Sequence, residues 1–168
     1  TILYLGAYTP LKRVSWICNI VCSIPGALPP VVGWLAARPN MSVEPALLFA
    51  IMYLWQLPHS LSIARLYRAD YEKAGIHLYP PDGRRGNIAN SVIVGDSLVL
   101  IAVSILPTLL GFAGIIYMTV ALVLGAAMLL CGVNLFRAPE RSLSARRVLM
   151  ASLVYLPLVL LVLVLDKV

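Results

Sequence analysis

Apolar residues in this chain come in long unbroken stretches separated by short polar breaks. A helix needs about 20 apolar residues to cross the hydrocarbon core of a bilayer. Five stretches reach that length: about 15–37, 44–64, 92–110, 115–136 and 148–165. The breaks between them are "ARPNMS" (37–42), a long polar segment (65–91), "GFAG" (111–114) and "RAPERSLSARR" (137–147). Only one run shows any alternation of period two, whereas a membrane barrel needs many. The pattern predicts an all-α integral membrane protein, a bundle of five spans forming a single domain over residues 1–168.

Composition agrees. The chain is 61% hydrophobic and 12% charged, where soluble domains carry about one quarter charged residues; mean hydropathy is +0.91. The net charge of +6 is distributed unevenly. If every span crosses, 11 of the 13 basic residues lie on one side, leaving Arg38 and Lys167 opposite. That is the positive-inside pattern, so the segment before the first span and the loops at 65–91 and 137–147 are expected to face the cytoplasm or its equivalent, and the C-terminus to face out. The positive charge is thus a topology signal, and no nucleic-acid partner is expected. "TILYLGAYT" reads as the tail of an earlier apolar segment with no signal peptide, so the chain is expected to be the C-terminal part of a longer protein. Cys18, Cys22 and Cys131 lie in apolar runs without further ligands nearby and read as packing residues.

Ionisable groups inside spans are functional candidates by default. His59 is one, and Pro58 before it removes a backbone donor. Eleven positions separate His59 from Asp70. On an uninterrupted helix that is three turns plus about 20°, with a rise of about 16 Å. Trp55, four residues before His59, and Lys73, three after Asp70, would share that face. An aromatic wall and a histidine at depth, with charge at the mouth, suit an amphiphile whose anionic end sits at the surface. The first span carries Asn19, Pro25, Gly26, Pro29, Pro30 and Gly33 and is expected to be bent or broken, which is tolerated only inside protein or along a cavity. Asp96 reads as a carboxylate one turn inside its span, and Asp166 and Lys167 as the end of the last.

Asp70 and Glu72 lie among Arg65, Arg68 and Lys73. Two readings stay open on spacing alone. Carboxylates of this kind share Mg²⁺ with substrate phosphates while basic side chains hold the remaining phosphate charge. Alternatively this is a solvated loop with local ion pairs such as Asp70–Lys73.

Several motifs occur in order. They are "YTPLKR" (8–13), Asn19 followed by "GALPP" (26–30) and "GWLAA" (33–37), then "WQLPH" (55–59), then "DYEKAG" (70–75) with Pro80 beyond; "ARRVLMASLVYLPLVLLVLVLD" closes the chain. In these the chain resembles the haem O synthase (protohaem IX farnesyltransferase) family of the UbiA-type intramembrane prenyltransferases. The resemblance implies a nine-helix bundle, of which five spans are present, with a lateral lipid-facing cavity and two acidic motifs that hold Mg²⁺ and a prenyl diphosphate. It implies transfer of a farnesyl group from farnesyl diphosphate to a vinyl group of haem B. Asp70, Tyr71 and Lys73 become the catalytic candidates, with Asp70 on Mg²⁺. His59, Asn19, Arg68, Lys12, Arg13 and Trp55 become substrate contacts, His59 facing haem as a candidate iron ligand. Haem B is substrate, not resident cofactor. Haem A synthase or oxidase assembly factors are implied contacts within the bilayer. The chain departs from the family pattern at Cys22, Ser23, Leu57, Ser60 and "HLYP" (77–80), and the first acidic motif is not in it, so these residues alone are expected to be inactive.

Two other readings compete: a related prenyltransferase acting on an aromatic or quinone precursor, against which "WQLPH" argues, and a transporter or non-catalytic membrane subunit, which leaves the Asp70 segment unexplained. A bacterial plasma membrane and a mitochondrial inner membrane both suit the topology; the short loops favour the former.

Overall fold

A computed structural model describes residues 15–38, 42–80, 84–137 and 141–167. The elements are α1 (Cys18–Ala27), α2 (Pro29–Ala37), α3 (Val43–Leu66), α4 (Arg68–Lys73), α5 (Arg84–Ser104), α6 (Leu106–Leu109), α7 (Ile115–Arg137) and α8 (Arg141–Leu165). Among the described residues there is no strand, only a single bridge between Ala113 and Lys167. Lys12 and Arg13 lie outside the described residues.

Among the described residues, five helical segments are long and apolar enough to cross a membrane: Cys18–Ala37, Val43–Leu66, Ile88–Leu109, Ile115–Arg137 and Ser142–Leu165. Between 11% and 33% of each span's most apolar window is buried inside the fold, so most of the remaining apolar surface faces outward, as lipid contact requires. The protein is an all-α, multi-pass membrane protein.

The first span is broken, as its prolines require. Pro29 and Pro30 have no N–H to give to the carbonyls of Pro25 and Gly26, so α1 ends at Ala27 and α2 begins at Pro29, joined through Leu28 in helical conformation. The third and fifth spans start four and six residues earlier than hydropathy alone suggests. Their polar first turns are helical because packing satisfies them. Asn90 accepts from Arg65 at 2.6 Å, and Ser144 and Ala145 are buried. The earlier start places Asp96 eight residues into its span, about 12 Å along, with Oδ2 buried and unpartnered. It is not the interfacial carboxylate that the sequence suggests.

α3 is the central helix and packs against α1, α2, α5 and α8, while α7 packs on α5 and α8. One core cluster gathers Ile51, Leu100, Tyr117, Met128, Tyr155 and Val159. The Ser104 and Tyr155 hydroxyls meet within this region at 2.6 Å. A second cluster gathers Leu61, Ile93, Leu135, Ala145 and Val148, so the helix ends carrying Arg65, Arg137 and Arg146 meet at one end of the bundle.

Two further features position the site. α3 runs through Pro58 without ending, and the Ser62 hydroxyl donates to the Pro58 carbonyl at 2.7 Å. It stops at Leu66. Tyr67, at φ −103° and ψ 22°, separates it from α4, so the uninterrupted helix from His59 to Lys73 that would align their side chains is not formed. At the far end of α4, Gly75 adopts φ +68°. The N–H of Ile76 donates to the Tyr71 carbonyl at 2.9 Å and that of Gly75 to the Glu72 carbonyl at 3.0 Å. This is a Schellman ending, which needs a residue without a Cβ in the left-handed region. It turns residues 76–80 back toward α1.

Candidate functional site

The reversal at Gly75 brings three distant pieces of sequence to one cavity of about 180 Å³. Its walls include Asn19 and Cys22 from α1, Gln56, His59 and Ser60 from α3, Tyr71 from α4 and Leu78 from the returning segment. Three residues singled out from the sequence (Asn19, His59 and Tyr71) therefore share it.

His59 is half-buried and tightly held. Its ring stacks on Trp55, with centroids 4.7 Å apart and planes 20° from parallel. Its Nδ1 lies 2.9 Å from the Ser152 hydroxyl on α8. The Trp55 indole N–H donates to the Ser152 carbonyl at 2.6 Å. Trp55 thus supports His59 and is not among the cavity walls.

Asn19 is buried, and its amide NH₂ donates to the Trp16 carbonyl at 3.0 Å and to the Leu78 carbonyl at 2.8 Å. Both partners are carbonyls, so the side-chain nitrogen must be the atom facing them. With both N–H bonds engaged, Asn19 has only an acceptor oxygen left, which suits a tie between α1 and the returning segment better than contact with an anion.

The charged residues lie at the rim. Asp70 and Lys73 are exposed on α4. Tyr71 rather than Asp70 or Lys73 turns into the cavity. Arg68 bridges to Glu72 at 2.7 Å across one turn. The guanidinium groups of Arg65 and Arg68 also lie 5.8 Å and 6.0 Å from the Tyr79 ring centroid. Among the described residues no three His, Cys, Asp or Glu side chains gather into a metal site. Asp70 offers one carboxylate and Glu72 is paired, so these residues do not by themselves complete a magnesium site.

Sequence reasoning missed Gln56 and Ser152. Gln56 lies against Gly26, where any Cβ would strike its amide; the glycine in "GALPP" is the matching signal. Ser152 is one hydroxyl in an otherwise apolar stretch of α8, visible as an oddity but without a partner until α3 and α8 are packed. Asp166 also does more than end a span. Its carboxylate accepts from the N–H of Tyr117 at 2.7 Å, in the first turn of α7.

Comparison with known proteins matches a family model described as "UbiA prenyltransferase family" over residues 1–162. Proteins named "Protoheme IX farnesyltransferase" are similar across nearly the whole chain. The one from Koribacter versatilis (strain Ellin345) is 42% identical over 99% of this chain and 56% of its own length. Those of Solibacter usitatus (strain Ellin6076) and Cytophaga hutchinsonii are 45% and 39% identical, covering 98% and 99% of this chain and 56% and 58% of those proteins. The chain thus spans a little over half the length of these curated relatives. No solved structure matches. With the family model matched over residues 1–162, nearly the whole chain, this chain belongs to the UbiA prenyltransferase family.

Proposed function

We propose that this chain is the C-terminal part of an enzyme that transfers a farnesyl group from farnesyl diphosphate to a vinyl group of haem B, giving haem O. The observation that carries the reading is the shared cavity. His59 of the Trp-Gln-Leu-Pro-His motif and Tyr71 of the Asp-Tyr-Glu-Lys-Ala-Gly motif line the same space, with charge at its rim and apolar spans around it. About 180 Å³ falls short of the roughly 300–1,000 Å³ typical of drug-sized ligands, so these walls enclose part of a macrocycle or a few isoprene units, not both substrates entire.

In the proposed reaction the C1–O bond of farnesyl diphosphate breaks and diphosphate leaves with the electron pair. The vinyl π electrons of haem form the new carbon–carbon bond. Water then captures the resulting cation and releases a proton. Lys73 and Arg68, with Lys12 and Arg13 from outside the described residues, are assigned to the charge developing on diphosphate, an electrostatic role. Asp70 is assigned as a carboxylate that would hold Mg²⁺, which would supply positive charge toward the leaving diphosphate; the described residues alone do not complete that site. Tyr71 is assigned to the diphosphate end of the prenyl chain, a reading supported by its position in the cavity lining. His59 is assigned to haem, with Trp55 behind it. Asn19 is assigned to shaping the cavity through Leu78. The apolar spans around the cavity keep bulk water from an allylic cation until the carbon–carbon bond has formed. A bacterial plasma membrane is the proposed location, consistent with the bacterial relatives.

The test is product mass. Membranes containing the full-length enzyme that carries this chain are supplied with farnesyl diphosphate, haem B and Mg²⁺, and in parallel with a hydroxybenzoate in place of haem. Farnesylated, hydrated haem is expected, and Asp70→Asn is expected to lower its formation by about 100-fold or more. Prenylation of the hydroxybenzoate alone would replace haem with an aromatic acceptor. Undiminished turnover in Asp70→Asn would remove Asp70 from the chemistry.

A further inference from the structure

The contacts around His59 fix more than its position. The Ser152 hydroxyl makes two short contacts, 2.7 Å to the Leu149 carbonyl and 2.9 Å to His59 Nδ1. A serine hydroxyl has one proton. The carbonyl has none, so the contact to Leu149 is a hydrogen bond only if Ser152 donates it. The oxygen can then only accept from His59, and Nδ1 must carry the proton. In a neutral imidazole that leaves Nε2 with its lone pair. Nε2 hydrogen-bonds nothing among the described residues, and His59 lines the cavity.

We propose that Ser152 is a positioning residue that holds His59 in its Nδ1–H tautomer, so that an unprotonated Nε2 is left for a metal-bearing ligand in the cavity. Trp55 completes the clamp. It stacks on the imidazole and anchors its own indole N–H to the Ser152 carbonyl, so one residue of α8 orients both rings. Ser152 is fully buried and does not touch the cavity; it acts through His59. Metal-binding histidines commonly give their other ring N–H to such a partner, and a neutral imidazole suits iron among other transition metals. Resting on the haem-directed reading above, this assigns the His59 side of the cavity to the metalloporphyrin and not to the diphosphate. A lone pair on Nε2 repels a phosphate oxygen but can bind iron.

Two measurements decide the matter. The first uses no variant in the decisive step. Protein labelled with ¹⁵N-histidine in detergent micelles is examined by long-range ¹H–¹⁵N correlation, without substrate. The chain has two histidines, His59 and the exposed His77, and His59→Gln identifies the signal of interest. The nitrogen coupled to both carbon-bound ring protons, Nε2, is expected in the unprotonated range. A proton found on Nε2 overturns the proposal. The second is titration of ferric haem B followed at the Soret band. Ser152→Ala is expected to weaken binding by about tenfold or more, with recovery in Ser152→Thr, which keeps the hydroxyl. Unchanged affinity in Ser152→Ala overturns the positioning role. Neither readout depends on turnover, so failure of farnesyl transfer with the Nδ1–H tautomer and haem binding intact would count against the proposed reaction alone.

Discussion

Asn19 offers a sharp test of how the cavity is built. It donates to two backbone carbonyls, of Trp16 and Leu78, from a buried position. Asn19→Ala removes both bonds; the Trp16 carbonyl still accepts from the backbone N–H of residue 19 at 3.1 Å, while the Leu78 carbonyl loses its tie to α1. At about 1 kcal/mol for each hydrogen bond, the loss is about 2 kcal/mol. For a chain of this size that is a fall of about 4–8 °C in thermal midpoint. Asn19→Asp sharpens the test, because a carboxylate faces the same two carbonyls with no donor at all. It is expected to be at least as damaging as alanine despite near-identical shape. The assay is thermal unfolding in detergent, followed by tryptophan fluorescence, to which Trp16 contributes with Trp34 and Trp55. If Asn19 instead served as a donor to diphosphate, both variants would unfold at the wild-type temperature and weaken only the binding of farnesyl diphosphate. That pattern would refute the tie between α1 and the returning segment, and with it this account of how Leu78 reaches the cavity.

Two other substitutions probe the supports of the site. Gly75→Ala forces a Cβ into a residue at φ +68° and is expected to cost about 1–2 kcal/mol, seen as a lower thermal midpoint and as easier proteolysis within residues 74–80; unchanged values for both would contradict the Schellman ending. Asp166→Ala removes the acceptor from the buried N–H of Tyr117 and is expected to cost about 1–2 kcal/mol. Asp166→Asn keeps an acceptor oxygen and should lose only about 0.3–1 kcal/mol of charge–dipole attraction; equal losses in the two variants would mean that the carboxylate does not cap α7.

Much of the architecture is written locally. Long apolar runs can satisfy their backbone inside lipid only as helices, so five spans follow from hydropathy, and the break at Leu28 follows from two consecutive residues without an N–H. The motifs around His59 and Asp70 are likewise legible, since they consist of residue types that are expensive or unusual where they stand. What they do to one another is not local. Spacing alone places His59, Asp70 and Lys73 on one face, yet a single non-helical residue, Tyr67, brings Tyr71 to the cavity and leaves Asp70 and Lys73 at the rim. Asn19 reads as a polar group free to bind a ligand until Leu78, 59 residues away, takes one of its protons. Ser152 carries no signal by itself, because a hydroxyl in an apolar helix acquires meaning only from the histidine placed 2.9 Å from it. The sequence by itself determined where the chain is helical and which residues carry chemistry, because helix formation in lipid and the cost of buried polarity depend on nearby residues. Which of those residues meet, and which atom each has left to offer, was decided only when α1, α3, α4 and α8 packed together, because a hydrogen bond depends on position in space and not on distance along the chain.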